Sequence, residues 1–345
     1  MNEVNWIGFQ DSLLSNYQKF ARYNYGKKAY QAKENYINWL YKENPLSVIK
    51  EDFLVGISNQ RKTVVGCIHK MRMHWRYESK VISVPAFHNL MVDKEYRYGT
   101  GFILVMAATK NENYALMPGV IQPFTEFYNT LKYQKVSAMW YRKFIKPLSG
   151  SIAFFQNKLF NYSTKENYFY DSKLNGISTQ NFKTIISPSD DLLEQLVDVL
   201  NVNNTKICSP YWTIEQLRWR FFHPLGPKHM LIYENFSETI KNFAILSMGP
   251  RHGMNMCRIL LLESVSAKSL ELLLSAIFSV IKKNGGHIVH LFCADKMMNN
   301  KLKEVNWNPM ENSPDTYFFH KDKKNTFKHY SFTGGSGDFG FEAIV

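Results

Sequence analysis

The chain has 345 residues and a mass of 40.4 kDa, too much for one small core and enough for about two domains. Hydrophobic residues at 45% and charged residues at 21% are globular proportions, which excludes a wholly disordered chain. The 42 Lys and Arg against 29 Asp and Glu leave a net charge of +13. That excess suits polyanionic partners (nucleic acid, an anionic membrane, phosphate-bearing ligands) without choosing among them, and no run of five or six like charges forms a basic tail.

In chain order, positions 10–45 read as mostly helical and end at Asn44-Pro45, where proline cannot continue a helix. Phe53–Ile57 and Thr63–Ile68 read as strands around a turn at Gln60-Arg61. Met71–Trp75 and Val81–Val84 read as further strands, and Phe87–Val92 is another apolar run. A glycine-punctuated stretch to Gly101 leads into a helix over about 101–111. A strand at Tyr114–Met117, a helix at Phe124–Leu131 and a strand at Gln134–Met139 follow. The second half repeats this order. Ser187 reads as an N-cap with Pro188 in the first helical position, and Thr213-Ile-Glu-Gln216 as a capping box. Lys241–Met248 and Met256–Val265 read as strands around Gly249–Gly253. Residues 266–283 form an amphipathic helix closed by Gly285-Gly286, His287–Phe292 a strand, and Lys296–Val305 a helix.

Trp39-Leu-Tyr-Lys-Glu-Asn-Pro45 ends the first helical block, and Trp219-Arg-Phe-Phe-His-Pro224 ends the second. With the shared element order, this echo predicts tandem domains of mixed α/β type, 1–172 and 173–345, divided in the polar stretch near 163–180.

Four cysteines (Cys67, Cys208, Cys257, Cys293) stand far apart with mostly apolar neighbours, and read as reduced, mostly buried thiols in a cytoplasmic protein. His252, His287 and His290 lack a fixed carboxylate or Cys partner, so no metal is expected. The N-terminal MNEVNWIGFQDSLL has no signal-peptide pattern, and the longest apolar runs, such as Phe102–Ala108, are too short to span a membrane.

The segment richest in chemistry is Asn89-Leu-Met-Val-Asp-Lys-Glu-Tyr-Arg-Tyr-Gly-Thr-Gly-Phe-Ile-Leu-Val-Met. A strand runs into a loop with two glycines, and a helix starts there. Outward backbone N–H groups and the positive end of the helix dipole form a cradle for a pyrophosphate, which the glycines let approach the backbone closely. Arg97 can add a charge-assisted contact. The bare alternative is an ordinary strand–turn–helix.

This segment resembles the phosphate loop of the GNAT superfamily of acyl-CoA-dependent N-acyltransferases, Gln/Arg-x-x-Gly-x-Gly/Ala after a strand, commonly preceded by Glu-Tyr-Arg. Here Glu95-Tyr96-Arg97 precedes Tyr98-Gly99-Thr100-Gly101, with the glycines displaced by one position. Phe127-Tyr128-Asn-Thr-Leu-Lys132-Tyr133 resembles the family's Phe-Tyr-x-x-x-Gly-Phe, with Lys132-Tyr133 in place of Gly-Phe. The Trp39-Leu-Tyr41…Asn44-Pro45 stretch and Gly337-Asp338-Phe-Gly340 look like a subgroup, the two-domain sugar N-acetyltransferases of bacterial surface-polysaccharide pathways.

The resemblance implies an acetyl-CoA site formed by Leu90, Met91, Val92, Arg97, Tyr98, Gly99, Thr100, Gly101 and Phe102. It implies direct amine attack on the thioester, with Tyr128 protonating the leaving thiolate and a backbone N–H near Met91 or Val92 polarising the carbonyl. His88, on the strand entering the loop, is the base assigned to the amine. A satisfied structural histidine, a water relay and the weaker Glu126 are the alternatives. The implied acceptor is a nucleotide-linked (dTDP) amino-deoxy sugar for O-antigen or capsule synthesis. No nucleic-acid partner is expected, and a homodimer is compatible with the aromatic-rich composition. After the corresponding strand of the second half, Glu263-Ser-Val-Ser-Ala-Lys-Ser-Leu has no glycine, so only the first domain is expected to hold the CoA loop. A Fem-like aminoacyl-tRNA-dependent transferase and a catalytically inactive binding module are the competing functions.

Overall fold

The structure is a computed structural model of the chain. It describes all residues except 1–3, 28, 79, 98, 161–180, 202–206, 236–238, 323–326 and 342–345, and the side chain of Pro123. The first half forms β1 (Val4–Gly8), α1 (Leu14–Tyr25), α2 (Glu34–Ile37), α3 (Ile49–Asp52), β2 (Phe53–Ser58), β3 (Val64–Tyr77), β4 (Lys80–Val92), α4 (Thr100–Thr109), β5 (Tyr114–Val120), α5 (Thr125–Thr130), β6 (Gln134–Val136), β7 (Met139–Phe144) and α6 (Pro147–Phe160). The second half forms β8 (Phe182–Ile185), α7 (Asp190–Leu200), the two-residue β9 (Ser209–Pro210), α8 (Ile214–Leu217), β10 (His229–Glu234), β11 (Phe243–Arg251), β12 (Met254–Glu263), α9 (Ala267–Lys283), β13 (Ile288–Cys293), α10 (Lys296–Glu304) and β14 (Asp315–His320).

The local signals explain several of these boundaries. His252 and Gly253 both take positive φ (51° and 78°), the two-residue turn whose hand matches the twist of the β11–β12 hairpin. The Ser266 side chain accepts from Ser269 N at 3.1 Å to open α9, whose Leu270, Leu273, Leu274, Ile277 and Ile281 line one buried face. Thr213 caps α8 by accepting from Gln216 N at 3.1 Å. The cap of α7 is Ser189, which accepts from Leu192 N, so Ser187 and Pro188 lie before the helix instead of opening it. The Trp39 and Trp219 echo is a shared local structure: α2 runs into a π-helical turn at Asn38–Lys42, and α8 into one at Arg218–Phe222, each tryptophan being buried.

Two mixed sheets result. The first runs β1-β2-β3-β4-β5-β14-β6, the second β7-β13-β12-β11-β10-β8. Each has a parallel pair at its centre, β4–β5 and β12–β13. Beyond that pair each sheet takes an antiparallel strand from the other half of the sequence. β14 pairs with β5 (Phe318↔Leu116) and β7 with β13 (Tyr141↔Leu291). The expected strand at Gln134–Met139 therefore divides: β6 stays in the first sheet and β7 enters the second. The chain accordingly forms two compact units. One comprises Met1–Trp75, Val81–Val136 and Asp315–Phe327; the other comprises Arg76–Lys80, Ser137–Pro314 and Lys328–Val345. The expected boundary at 172/173 lies outside the described residues. All four cysteines are buried, and none of them is in a disulfide.

Candidate functional site

In the first unit β4 changes direction inside its own length. Asn89 takes φ 49°, a left-handed conformation that asparagine tolerates better than most residues. Among the described residues the β4–β5 register is one pair, Ala86↔Leu116, so the two strands part beyond it. Beyond it the carbonyls of Asn89 and Val92 accept from side chains, the Tyr25 hydroxyl and Arg97 Nε.

The loop after β4 is pinned. Asp93 N donates to Val65 O at 2.8 Å, and the Asp93 side chain accepts from Glu95 N. Tyr96 is buried, with its hydroxyl 2.9 Å from Ser58 Oγ. Glu95, expected only as part of a motif, pairs with Arg61 at 2.6 Å. Arg97 folds back so that Nε donates to Val92 O at 3.1 Å, and its Nη groups make no hydrogen bond among the described residues. Gly99, at φ 74°, is the N-cap of α4, and among the described residues no side-chain hydrogen bond caps the helix. The first helical bond is Ile103 N to Gly99 O at 3.2 Å, so the amides of Thr100, Gly101 and Phe102 have no acceptor within the helix. A side-chain carbon built at Gly99 or Gly101 would meet no atom within 4 Å among the described residues. These amides and this open space are what a pyrophosphate needs, so the residues present fit the phosphates of CoA. The left-handed residue falls at Gly99, one position later than the resembled pattern has its glycine. Tyr98 lies outside the described residues.

Tyr128, on α5, is buried in the same apolar cluster as Val92 and Leu104, with half-buried Leu90 and Phe127 packed against it. Its ring stacks on Tyr317 of β14 (5.3 Å, 21°) and touches Tyr133 and Phe127. Lys132, which stands where the resembled motif has glycine, takes the left-handed φ of 58°, and Tyr133 N closes the turn on Tyr128 O at 3.0 Å. The Tyr128 hydroxyl makes no hydrogen bond among the described residues and is not among the sealed buried polar atoms. Burial and the neighbouring Tyr133 raise its pKa above the usual phenol value.

His88 lies on the opposite face of β4 from Phe87 of that cluster. It is buried. Its Nε2 is 3.0 Å from the Tyr36 hydroxyl and its Nδ1 is 3.2 Å from Ala86 O. Nδ1–H donating to that carbonyl leaves Nε2 as the acceptor for Tyr36 O–H. The structure thus places Tyr128 and His88 on different faces, and encloses His88 in a polar network. Asn89 is the hub of that network. Its Oδ1 accepts from Gln31 Nε2 (3.1 Å), its Nδ2 donates to Tyr36 (3.0 Å), and its carbonyl accepts from the Tyr25 hydroxyl (2.8 Å). A second buried trio, Tyr17–His69–Tyr41, lies alongside, with His69 stacked 5.6 Å from His88. Burial and His88 hold the His69 pKa well below its ordinary value. Sequence reasoning passed over Asn89, Tyr36 and Gln31. The available signal was a polar Asn inside the apolar run Ala86–Val92.

Because Asn89 carries both the kink and its clasp, Asn89→Ala is expected to cost about 2 kcal/mol in urea unfolding and Asn89→Gly less, since glycine keeps the backbone. Equal losses would remove the backbone from this account.

The equivalent opening in the second unit is filled by its own chain. β12 and β13 pair from Met256↔Ile288 to Ile259↔Leu291 and then part. Into the gap goes the segment around Thr333: Ala294 N donates to Phe332 O at 2.9 Å, and Thr333 Oγ1 to Leu260 O at 2.5 Å. Buried Arg220 holds the segment by the carbonyls of Gly335, Gly337 and Phe339 (2.9–3.1 Å). Gly335 is required there, since a Cβ would sit 2.8 Å from the Phe221 ring. The Gly337–Gly340 motif belongs to this plug.

No protein-family model and no curated protein sequence matches the chain. Solved structures do. Saccharomyces cerevisiae N-myristoyltransferase with bound myristoyl-CoA matches at 11% identity and a TM-score of 0.64, over 92% of this chain and 83% of that one. A GCN5-related N-acetyltransferase from Kribbella flavida matches at 11% identity and a TM-score of 0.55, over 93% and 71%. One from Anabaena variabilis matches at 7% identity and 0.52, over 92% and 72%. This likeness shows the fold: mixed α/β of GNAT type, as the loop motif led one to expect. Among the described residues no helix is long and apolar enough to cross a membrane.

Proposed function

We propose that the chain is a CoA-thioester-dependent N-acyltransferase with its acyl-CoA site in the first unit. The observation that supports it most is the junction of a kinked, splayed β4 with an α4 N-terminus left open by Gly99 and Gly101. An acyl-CoA bound there would supply the activated thioester. The amides of Thr100, Gly101 and Phe102 hold the pyrophosphate, with the Arg97 guanidinium adding a charge-assisted contact. Leu90, Met91 and Val92 line the strand end, where an N–H near Met91 or Val92 polarises the carbonyl. The Tyr128 hydroxyl protonates the departing thiolate. His88 takes the amine proton only through the Tyr36 phenol, because that phenol occupies its Nε2. Orientation of the amine supplies much of the remaining acceleration.

In this reading the acyl group is acetyl and the acceptor a nucleotide-linked amino-deoxy sugar of a surface-polysaccharide pathway, as the sequence resemblance implies. A second reading rests on the match to N-myristoyltransferase, whose structure holds myristoyl-CoA: the transferred acyl chain is longer than acetyl.

Thiol release from a chain-length series of acyl-CoAs, with amino-sugar nucleotides and simple amines as acceptors, separates the two readings. Acceptor-dependent release with acetyl-CoA supports the first, and release only with long chains supports the second. No release with any pair, together with no thermal shift on adding CoA, would sink both. Gly101→Glu adds a carboxylate at the open helix end, at a position where a Cβ meets no atom within 4 Å among the described residues. The Kd for CoA is expected to rise at least tenfold, with the Tm unchanged.

A further inference from the structure

α6 of the second unit packs the wrong way round for a core helix. Its small residues Gly150 and Ala153 are buried, while Leu148, Ile152, Phe155 and Leu159 are 82%, 58%, 57% and 69% exposed. The close fit fixes this orientation. Gly150 faces His287, and a Cβ there would lie 3.3 Å from the His287 Cβ. Gly253, at the tip of the β11–β12 hairpin, comes so near α6 that a Cβ would lie 2.5 Å from Asn157 Cβ and 2.6 Å from Ala153 O. A large residue at Gly150 or Ala153 would not fit, so the large apolar ones face outward. Those four recur at i, i+4, i+7 and i+11, one stripe along a helix of 14 residues. Phe144, just before the helix, and Phe160, at its end, are exposed as well.

The sequence around the stripe carries charge of one sign. From residue 127 to residue 165 the chain has no Asp or Glu; Lys146 immediately precedes the helix and Lys158 belongs to it, while Arg142 donates to His290 and Lys143 lies over the Phe278 ring of α9. The whole chain carries +13. An apolar stripe with cations at its margins is the arrangement of a helix that lies in a membrane interface, with its apolar side among the acyl chains and its cations at anionic headgroups. A protein partner would need anionic margins around an apolar groove; a bilayer containing anionic phospholipid offers both over any area. We propose that α6 docks this protein peripherally on an anionic phospholipid bilayer. The inference is independent of the acyltransferase reading.

The test is flotation of the full chain with phosphatidylcholine vesicles, with and without about a third phosphatidylserine. The bound fraction is expected to be at least tenfold higher on the anionic vesicles, and to fall when salt is raised to shorten the Debye length. Ile152→Glu with Phe155→Glu is expected to abolish binding, while Leu272→Glu, at an exposed apolar position on α9, leaves it intact. Circular dichroism of both variants checks that the fold survives. No preference for anionic vesicles, or full binding by the double variant, would overturn the proposal. So would a dimer in sedimentation that the double variant dissolves while neither protein binds vesicles; that result would assign the stripe to a second copy of the chain.

Discussion

Replacing Tyr128 by phenylalanine is expected to lower kcat for acyl transfer by about a hundredfold or more, with the KM for the acyl-CoA changed less than about twofold. The substitution removes one oxygen and nothing else that packs. The ring stays stacked on Tyr317 and wedged against Phe127 and Tyr133. The hydroxyl has no hydrogen-bond partner among the described residues, so no buried group is stranded by its loss. A hydroxyl placed without a structural task in a buried cluster is the observation that favours a chemical one. Burial first, and Tyr133 second, push the phenol above its usual pKa, so it stays protonated throughout the neutral range. It can therefore give a proton and cannot serve as a base. The donor is lost only as pH rises through that elevated value, so kcat of the wild type should show no basic-side fall from Tyr128 near pH 8 or 9. Steady-state kinetics of the variant, with thermal unfolding alongside, decides the matter. A variant with wild-type kcat would show that the thiolate is protonated by water. A variant that loses kcat and Tm together would make Tyr128 a packing residue.

What could be read from the sequence were features whose cause is local. The turn within Gly249–Gly253, the helix over 266–283, the Thr213 capping box and the helix from about 101 are each written in a few consecutive residues and each forms close to its expected place, the turn narrowing to His252-Gly253, α9 opening at the Ser266 cap and α4 starting at Thr100 after Gly99. Ser189 shows the limit of that resolution, since a serine two positions earlier satisfied the same pattern. The exchange of β7 and β14 could not be read. Its cause is a pairing such as Phe318↔Leu116, between residues some two hundred positions apart, and no local period marks it. α6 escaped for a different reason: its apolar residues face outward, so the core-facing logic of an amphipathic helix does not apply. In the candidate site, the glycines marked the left-handed start of α4, because such a start has few residue choices. The network around Asn89 was silent. Tyr25, Gln31 and Tyr36 reach it from a helical block that reads as ordinary aromatic core, and only the fold brings them to β4. His88 shows the same thing in reverse. A strand position beside the loop made it look available, while α2 supplies the phenol that encloses it.

The largest stability effect is expected at Glu112, a residue in the unremarkable polar turn between α4 and β5. Its carboxylate accepts from buried Lys70 Nζ at 2.7 Å and from Arg72 Nη1 and Nη2 at 3.0 and 2.9 Å. Arg72 in turn grips Asp52, which is wholly buried and accepts from Ser47 Oγ and Val48 N as well. Two cations and two anions balance, so the network is neutral as a whole and charged at every member. Glu112→Ala removes the carboxylate that neutralises Lys70 and leaves an ammonium beneath the surface. It is expected to cost about 3 to 5 kcal/mol in urea unfolding. Removing both members, Lys70→Met with Glu112→Leu, is expected to recover most of that, because no stranded charge remains. The pH dependence has a definite sign. Burial raises the Glu112 carboxyl pKa, but the Arg72 and Lys70 hydrogen bonds and charges more than offset it, and the net shift is downward. A carboxyl held below its unfolded value, about 4.3, contributes its full stabilisation above that pH and loses it as pH falls through the lower folded value. The difference between wild type and Glu112→Ala should therefore be flat through neutral pH and shrink in acid. A loss under about 1 kcal/mol, or a difference that grows in acid, would mean that Lys70 leaves the interior without cost, and that the network is a consequence of the fold and not one of its supports.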